Sequence, residues 1–424
     1  MDFYRIKERP QKNGVTEIYP DFKVCRSEDL MIRAKSFYAI WDPEVNLWST
    51  DEYKVQDIID KSLLEYKEGI DDRVGGSTYV KYASDFSSGV WLQFRNYMAH
   101  ISDSAVQLDS KLTFSNTKVS KHDYVSRRLP YPLESGSIEN YDLLISTLYD
   151  PSERSKLEWA IGSIIAGDSV DIQKFVVLYG AAGAGKSTVL NIIQSLFAGY
   201  YTTFEAKALG SNSNQFATEA FRGNPLVAIQ HDGDLSRIED NTKLNSIVSH
   251  EDMLINEKNK PTYTSRVNAF LFMGTNKPVK ITDSKSGLLR RLIDVKPSGR
   301  RLKPIKYQTV MGQIQFELGA IAQHCLDVYR EMGKDYYAGY QAIEMILETN
   351  VFYNFMESYF DLFKEQDGVS LNQAYSLYKT WCDDSMIEYK LPRHKFRDEL
   401  REYFREFKDR HQIGEDRIRS WYDG

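Results

Sequence analysis

"FVVLYGAAGAGKSTVL", residues 175–190, decides the fold. A β-branched apolar run, Phe175 to Tyr179, enters Gly180-Ala181-Ala182-Gly183-Ala184-Gly185-Lys186-Ser187-Thr188, and an apolar helical pattern follows. This is G-x-x-x-x-G-K-[ST] in the strand–loop–helix setting that the motif requires. Glycines let backbone N–H groups turn inward around an anion, and the next helix adds the positive end of its dipole. Residues 180–188 are therefore expected to bind ATP, with Lys186 reaching the β- and γ-phosphates and the Ser187 hydroxyl holding Mg²⁺.

Working outward, "NPLVAIQHDGDL" (224–235) reads as a buried strand, Leu226 to Ile229, that delivers Asp232 and Asp234 to its end. A carboxylate there completes a Mg²⁺ shell and polarises the attacking water. The alternative is a plain turn, which Asp-Gly pairs favour. "FLFMGTNKPVKITDSKSGLLRR" (270–291) is a further apolar strand ending in Thr275-Asn276, with Arg290-Arg291 beyond. Ligands of such sheets sit at the strands' carboxyl ends, where the Asn276 amide would orient the water and sense the γ-phosphate. Arg290 or Arg291 would stabilise the transferring phosphate, in a neighbouring subunit's site, unless the pair is a solvated helix end.

Composition narrows the class. The chain has 424 residues, 42% hydrophobic and 27% charged, enough for two or three domains with a buried core. Its net charge of −6 excludes a uniformly basic coat for nucleic acid but leaves room for a local basic groove. Cys25, Cys325 and Cys382 are odd in number and lack metal-ligand spacing. That usage suits a reducing cytoplasm (the host's, if the protein is viral). With no apolar run long enough to span a bilayer, no membrane partner is expected.

Along the chain, residues 1–30 read as a polar arm, and 31–150 as a mostly helical N-terminal domain with a strand–turn–strand at Asp42-Pro43. A helix is expected over 151–166, entered by Asp150 and Pro151 and stopped by Gly167. Residues 151–300 alternate strands and helices, the pattern of an α/β ATPase core. "GRRLKP" (299–304) reads as its exit linker. The remainder, 301–424, reads as helical, with a capping box at Ser370 to Gln373, a helix from Arg393 to about Phe404, and a winged helix from about 350 as one form it could take.

Phosphate loop, acidic strand end, Thr-Asn strand end and Arg-Arg stand in one order, and in that order the chain resembles the superfamily 3 helicases, of the primase-helicase type found in phages, plasmids and large DNA viruses including poxviruses. The resemblance spans about residues 35–385. It rests on "FYAIWDPEVNLW", "ERSKLEWAIGSIIAGD", "GAAGAGKST", "LVAIQHDGD", "IVSHEDMLINEKNK", "FMGTN", "GLLRR" and "VSLNQAYSLYKTWCDD". It implies an AAA+ type P-loop core, assembly into a homo-oligomeric ring (commonly a hexamer), and ATP-driven translocation on single-stranded or forked DNA. It further implies that Asp232 is the catalytic acid and metal residue, Asn276 the sensor and Arg290 or Arg291 the finger. Relatives usually carry Glu at the acid position and an Asn before the loop's last glycine. The shorter Asp leaves Asp232 and Asp234 both open as the water-polarising group.

The resemblance also implies a channel-lining hairpin within "INEKNKPTYTSRV" (255–267), where Lys258, Lys260 and Arg266 would track phosphates and Tyr263 would stack on a base. A solvated hairpin is the alternative. Arg393, Lys395 and Arg397 are further candidates for DNA contact, on a helix that also reads as a charge-laced surface. No paired-carboxylate or zinc pattern for primer synthesis is present, so a primase would be a separate partner. The expected function is ATP-dependent DNA unwinding in the replication of a phage or mobile element. The alternatives are a DNA-packaging or origin-melting motor and a poorly hydrolysing, ATP-gated assembly protein.

Overall fold

Five parallel strands form the centre of the molecule, and their register places the glycine-rich loop, Gly180 to Gly185. The computed structural model describes residues 1–23, 27–74, 77–210, 214, 216–233, 242–258, 261–276, 287–342, 351–385, 387, 390–404, 406–413 and 416–423.

The N-terminal region is more sheet than the sequence suggests. β1 (Tyr4–Pro10) and β2 (Thr16–Phe22) pair antiparallel. Phe3, Tyr4 and Ile18 are buried, so the first thirty residues are not a polar arm. β1 shows its charge to solvent, with Arg5, Lys7, Glu8 and Arg9 exposed, and one wet face made the strand look like coil. β3 (Leu30–Arg33), β4 (Ser36–Asp42) and β5 (Leu47–Ser49) make an antiparallel sheet in which Trp41 faces Trp48 across the expected turn. α1 (Tyr53–Val74), β6 (Thr78–Val80), which joins β2, and α2 (Val90–His100) complete this part. Val55, Ile59 and Leu63 of α1 share one core with Phe3, Ile18, Leu30 and Phe94. Residues 31–150 are thus mixed rather than mostly helical, and 101–138 hold only one short 3₁₀ turn, at Lys121–Asp123.

α3 (Glu139–Leu148) and α4 (Pro151–Ala166) lead into the core. α4 has the expected bounds, with Pro151 in its first turn and Gly167 at φ +82° ending it. Then come β7 (Phe175–Tyr179), α5 (Lys186–Leu196), β8 (Tyr201–Thr203), α6 (Ala206–Leu209), β9 (Val227–Gln230) and α7 (Thr242–Val248). The hairpin strands β10 (Asp252–Ile255) and β11 (Tyr263–Arg266) precede β12 (Phe270–Thr275), β13 (Leu292–Val295) and the long α8 (Pro304–Met332). The central sheet has the order β13-β7-β12-β9-β8, all pairs parallel. Val176, Leu178, Ile229 and Phe272 point into one core, while Phe175, Val177, Ala228 and Met273 point into another. Burial on both faces explains why these strands read as unbroken apolar runs.

α8 belongs to this core: Val310, Ile314, Ile321 and Cys325 pack with α4 and the sheet. Residues 299–304 therefore do not lead out of it, contrary to the linker reading. α8 crosses α4 so closely that a Cβ at Gly162 would collide with the Cys325 carbonyl. Gly162→Ala is expected to cost about 1–3 kcal/mol through overpacking. It should lower the thermal midpoint by several degrees in a calorimetric scan.

Beyond α8, α9 (Val351–Glu365), β14 (Gly368–Ser370), α10 (Leu371–Asp384), α11 (Arg393–Tyr403), β15 (Glu406–Ile413) and β16 (Asp416–Asp423) surround Phe355, Tyr378, Phe396 and Tyr422. β16 lies between β14 and β15, so the region is not purely helical. The charge of "EFKDRHQI" and "DRIRSWYD" hides strands that bury little beyond Trp421 and Tyr422. Ser370 caps α10, its Oγ accepting from the Gln373 N–H at 3.2 Å. No described helix is long and apolar enough to cross a membrane.

Candidate functional site

The loop from Gly180 to Gly185 links the carboxyl end of β7 to the N-terminus of α5. Gly183 and Gly185 hold φ of +71° and +98°, a left-handed conformation that side chains resist. At Gly185 a Cβ would also lie 2.8 Å from a Leu148 methyl, so α3 packs directly on the loop.

Lys186 is 6% exposed, and its ammonium is fully engaged. Its Nζ donates to the carbonyls of Gly180 (2.6 Å) and Ala181 (2.9 Å) and to Asn276 Oδ1 (2.6 Å). The Asn276 amide in turn donates to the Asp232 carboxylate at 3.3 Å. The ends of three neighbouring strands, β7, β12 and β9, thus bring Lys186, Asn276 and Asp232 into one hydrogen-bonded chain. Burial pulls the Lys186 pKa below the ordinary lysine value, and the Asp232 charge opposes that shift.

A cavity of about 450 Å³ opens over this chain, a size suited to a nucleotide. Ser187, Thr188, Asp232 and Asn276 form its polar side, and Leu144, Leu148, Leu302 and Tyr307 its apolar side. The Tyr307 hydroxyl lies 3.1 Å from Thr188 Oγ1. Ser187 and Asp232 offer oxygens to the same space, the hard donors Mg²⁺ takes alongside substrate phosphates. No cluster of three metal-ligating side chains occurs among the described residues, and a phosphate-bound Mg²⁺ needs none.

The remaining candidates lie elsewhere. Asp234 and Lys260 fall outside the described residues. Arg290 and Arg291 sit at the opposite end of the sheet, because Leu292 at the start of β13 is level with Phe175 at the start of β7. A five-residue strand separates them from the glycine-rich loop, roughly 15 Å. They line a second cavity of about 260 Å³ with Lys174 and Lys334. Arg291 is held there by Asn245 at 3.2 Å and Gln173 at 3.4 Å, whereas Arg290 is exposed. Burial, reinforced by Arg290, draws the Arg291 pKa down.

On the hairpin, Lys258 is exposed. Tyr263 is not free to stack: its hydroxyl donates to the Arg222 carbonyl at 3.3 Å and Arg33 lies over its ring at 4.9 Å. Desolvation raises its pKa to about 12. Arg266 donates to the Val170 carbonyl at 3.3 Å. Arg393, Lys395 and Arg397 are all exposed on α11.

Sequence reasoning missed the cavity's apolar wall and Arg301, whose guanidinium stands over the loop. Leu148 and Tyr307 look like ordinary helix-core residues in the sequence, and only the return of α8 to the loop brings them together.

Two family models match parts of the chain. Residues 178–291, from the loop strand to the arginine pair, match a family of unknown function, DUF5906. Residues 347–419 match the poxvirus D5 protein-like family. Each spans less than half of the chain. No curated protein matches it. Among solved structures, the chain is similar to the apo structure of the NrS-1 C-terminal region, at 13% identity and a TM-score of 0.43, covering 70% of this chain and 78% of that one. The A form of the same apo region gives 13% identity and a TM-score of 0.42 with the same coverage.

Proposed function

We propose that this chain is an ATP-dependent DNA helicase of the superfamily 3 type, working in the replication of a virus or mobile element. The observation that carries the reading is the Lys186–Asn276–Asp232 chain over a glycine-rich loop. The sheet order supports an AAA+ type core, since the Asn strand β12 lies between the loop strand β7 and the acid strand β9. The poxvirus D5-like segment supports the coarser part, a replication protein of the viral primase-helicase type. The sequence α9-β14-α10-α11-β15-β16, with β14 beside β16, supports a winged helix in that segment.

Magnesium-bound ATP would supply the γ-phosphoryl group that is transferred to water. Loop N–H groups and Lys186 would hold the phosphates, with Ser187 and Asp232 toward the metal. Lys186 must give up its bonds to the Gly180 and Ala181 carbonyls to do so. Asn276, released from Lys186, is then free to orient a water, and Asp232 to accept its proton.

The position of Arg290 favours action in trans. It is exposed and remote from its own loop, so it would complete a neighbour's site in a ring of identical, head-to-tail interfaces. Arg290→Ala is expected to lower turnover on the order of a hundredfold or more. Mixed in equal amounts with Lys186→Ala, two inactive preparations should regain activity, because about a quarter of randomly formed interfaces carry both groups intact. Absence of any recovery in a coupled ATPase assay would count against the shared site.

The function itself is tested by ATP-dependent separation of a forked DNA duplex, with Lys186→Ala as control. Separation by the wild type alone supports the helicase. Turnover stimulated by blunt duplex without separation points to a packaging or melting motor, and ATP binding with no turnover to an assembly protein.

A further inference from the structure

Two adjacent arginines leave β13 and meet different fates. Arg300 is wholly structural: its guanidinium donates to Asp150 Oδ1 at 2.8 Å, to the Thr147 carbonyl at 3.2 Å and to the Ser146 carbonyl at 3.3 Å. Ser298 adds two more bonds to the end of α3, from its N–H to the Leu148 carbonyl and from its Oγ to the Thr147 carbonyl, both 2.8 Å. Residues 298–300 are therefore stapled beside the very helix whose Leu148 packs on the phosphate loop.

That staple delivers Arg301 to the cavity. Its guanidinium nitrogens lie 3.3 and 3.4 Å from where a Cβ would stand on Gly183, in the middle of the loop. No hydrogen bond or ion pair neutralises it among the described residues, and it lines the same cavity as Lys186, Ser187 and Asp232. Arg301 is exposed at the cavity's mouth, while the carboxylate there, Asp232, acts on Lys186, so a polyphosphate entering the cavity would meet a second cation that no described group occupies. A guanidinium also suits phosphate oxygens, which it can bind in pairs.

We propose that Arg301 is a phosphate ligand of its own chain's nucleotide, clasping the polyphosphate from the side opposite the loop's backbone N–H groups. The inference rests on the reading that this cavity takes a nucleoside triphosphate. Arg301 differs in kind from Arg290: it acts on the nucleotide held by its own loop and needs no neighbour. Since α8 begins three residues later, at Pro304, the contact would tie the phosphates to the first turn of that helix.

The test is a competition titration of the full-length protein, in which Mg-ATP displaces a fluorescent ATP analogue, alongside thermal melts with and without Mg-ATP. Wild type, Lys186→Ala, Arg301→Ala and Arg301→Lys are compared. Arg301→Ala should weaken ATP about tenfold or more, the loss typical of a charge-assisted contact. Arg301→Lys should recover part of that loss. The melting midpoint of Arg301→Ala without nucleotide should match wild type, because Arg301 holds no partner among the described residues, while the stabilisation by Mg-ATP should shrink. ATP affinity within about twofold of wild type, or a lower midpoint without nucleotide at unchanged affinity, would overturn the role of Arg301 and leave the nucleotide site standing, provided Lys186→Ala still loses binding. If wild type itself binds no ATP, the nucleotide reading falls and this inference falls with it.

Discussion

Lys186→Ala should leave a folded protein that binds ATP on the order of a hundredfold more weakly and hydrolyses it at no measurable rate. The ammonium is buried at the bottom of the cavity, donates to Asn276 and feels the charge of Asp232. A charge-assisted hydrogen bond to phosphate contributes about 1.5–3 kcal/mol, and the ammonium would donate more than one. Each 1.4 kcal/mol is a factor of ten, so binding alone should weaken on the order of a hundredfold, and turnover further still. Stability should move little. The groups that Lys186 leaves behind, two loop carbonyls and the Asn276 amide oxygen, face an open cavity where water can serve them. Isothermal titration with Mg-ATP and a circular dichroism melt separate the two effects. Binding by the variant within about tenfold of wild type would sink the assignment of residues 180–188 as a phosphate cradle.

The parts of this molecule that were legible in the sequence are those where one physical demand dominates. Strands β7, β9 and β12 are apolar on both faces because helices cover both, and their carboxyl ends carry Lys186, Asp232 and Asn276 as spacing alone suggests. α4 was legible because its Pro and Gly punctuation is local. The strand pair β1–β2 was not, since a half-exposed strand with Arg5, Lys7 and Arg9 in it has the composition of coil. Strands β15 and β16 failed for the same reason. Arg301 was illegible for a different one. Nothing separates it from Arg300 in "GRRLKP", and their fates diverge only because Ser298 and Arg300 bind the end of α3 and turn the next side chain over Gly183. The distinction between Arg290 and Arg291 likewise depends on Asn245 and Gln173 capturing one of the two.

Asp232→Asn should separate binding from turnover. The substitution preserves volume and shape while removing the negative charge, so the loop and Lys186 keep their geometry. ATP binding is expected to persist, since the loop and Lys186 hold the phosphates and the amide keeps an oxygen toward the metal. Hydrolysis needs a group that accepts a proton from the attacking water, and an amide cannot. A positioned general base contributes about 10²–10⁴ in rate, which sets the size of the expected loss. The side chain of Asp232 reaches the cavity and receives the Asn276 amide at 3.3 Å, which makes it the group to test first. Asp234→Asn is expected to keep at least about a tenth of wild-type turnover, since the base would remain. The shorter Asp reaches the water from further back than a Glu would, so Asp232→Glu should retain more activity than Asp232→Asn. Steady-state ATPase assays on the three variants, paired with nucleotide titrations, decide the matter. If Asp234→Asn proves inactive and Asp232→Asn active, the water is polarised from Asp234, and Asp232 serves the metal alone.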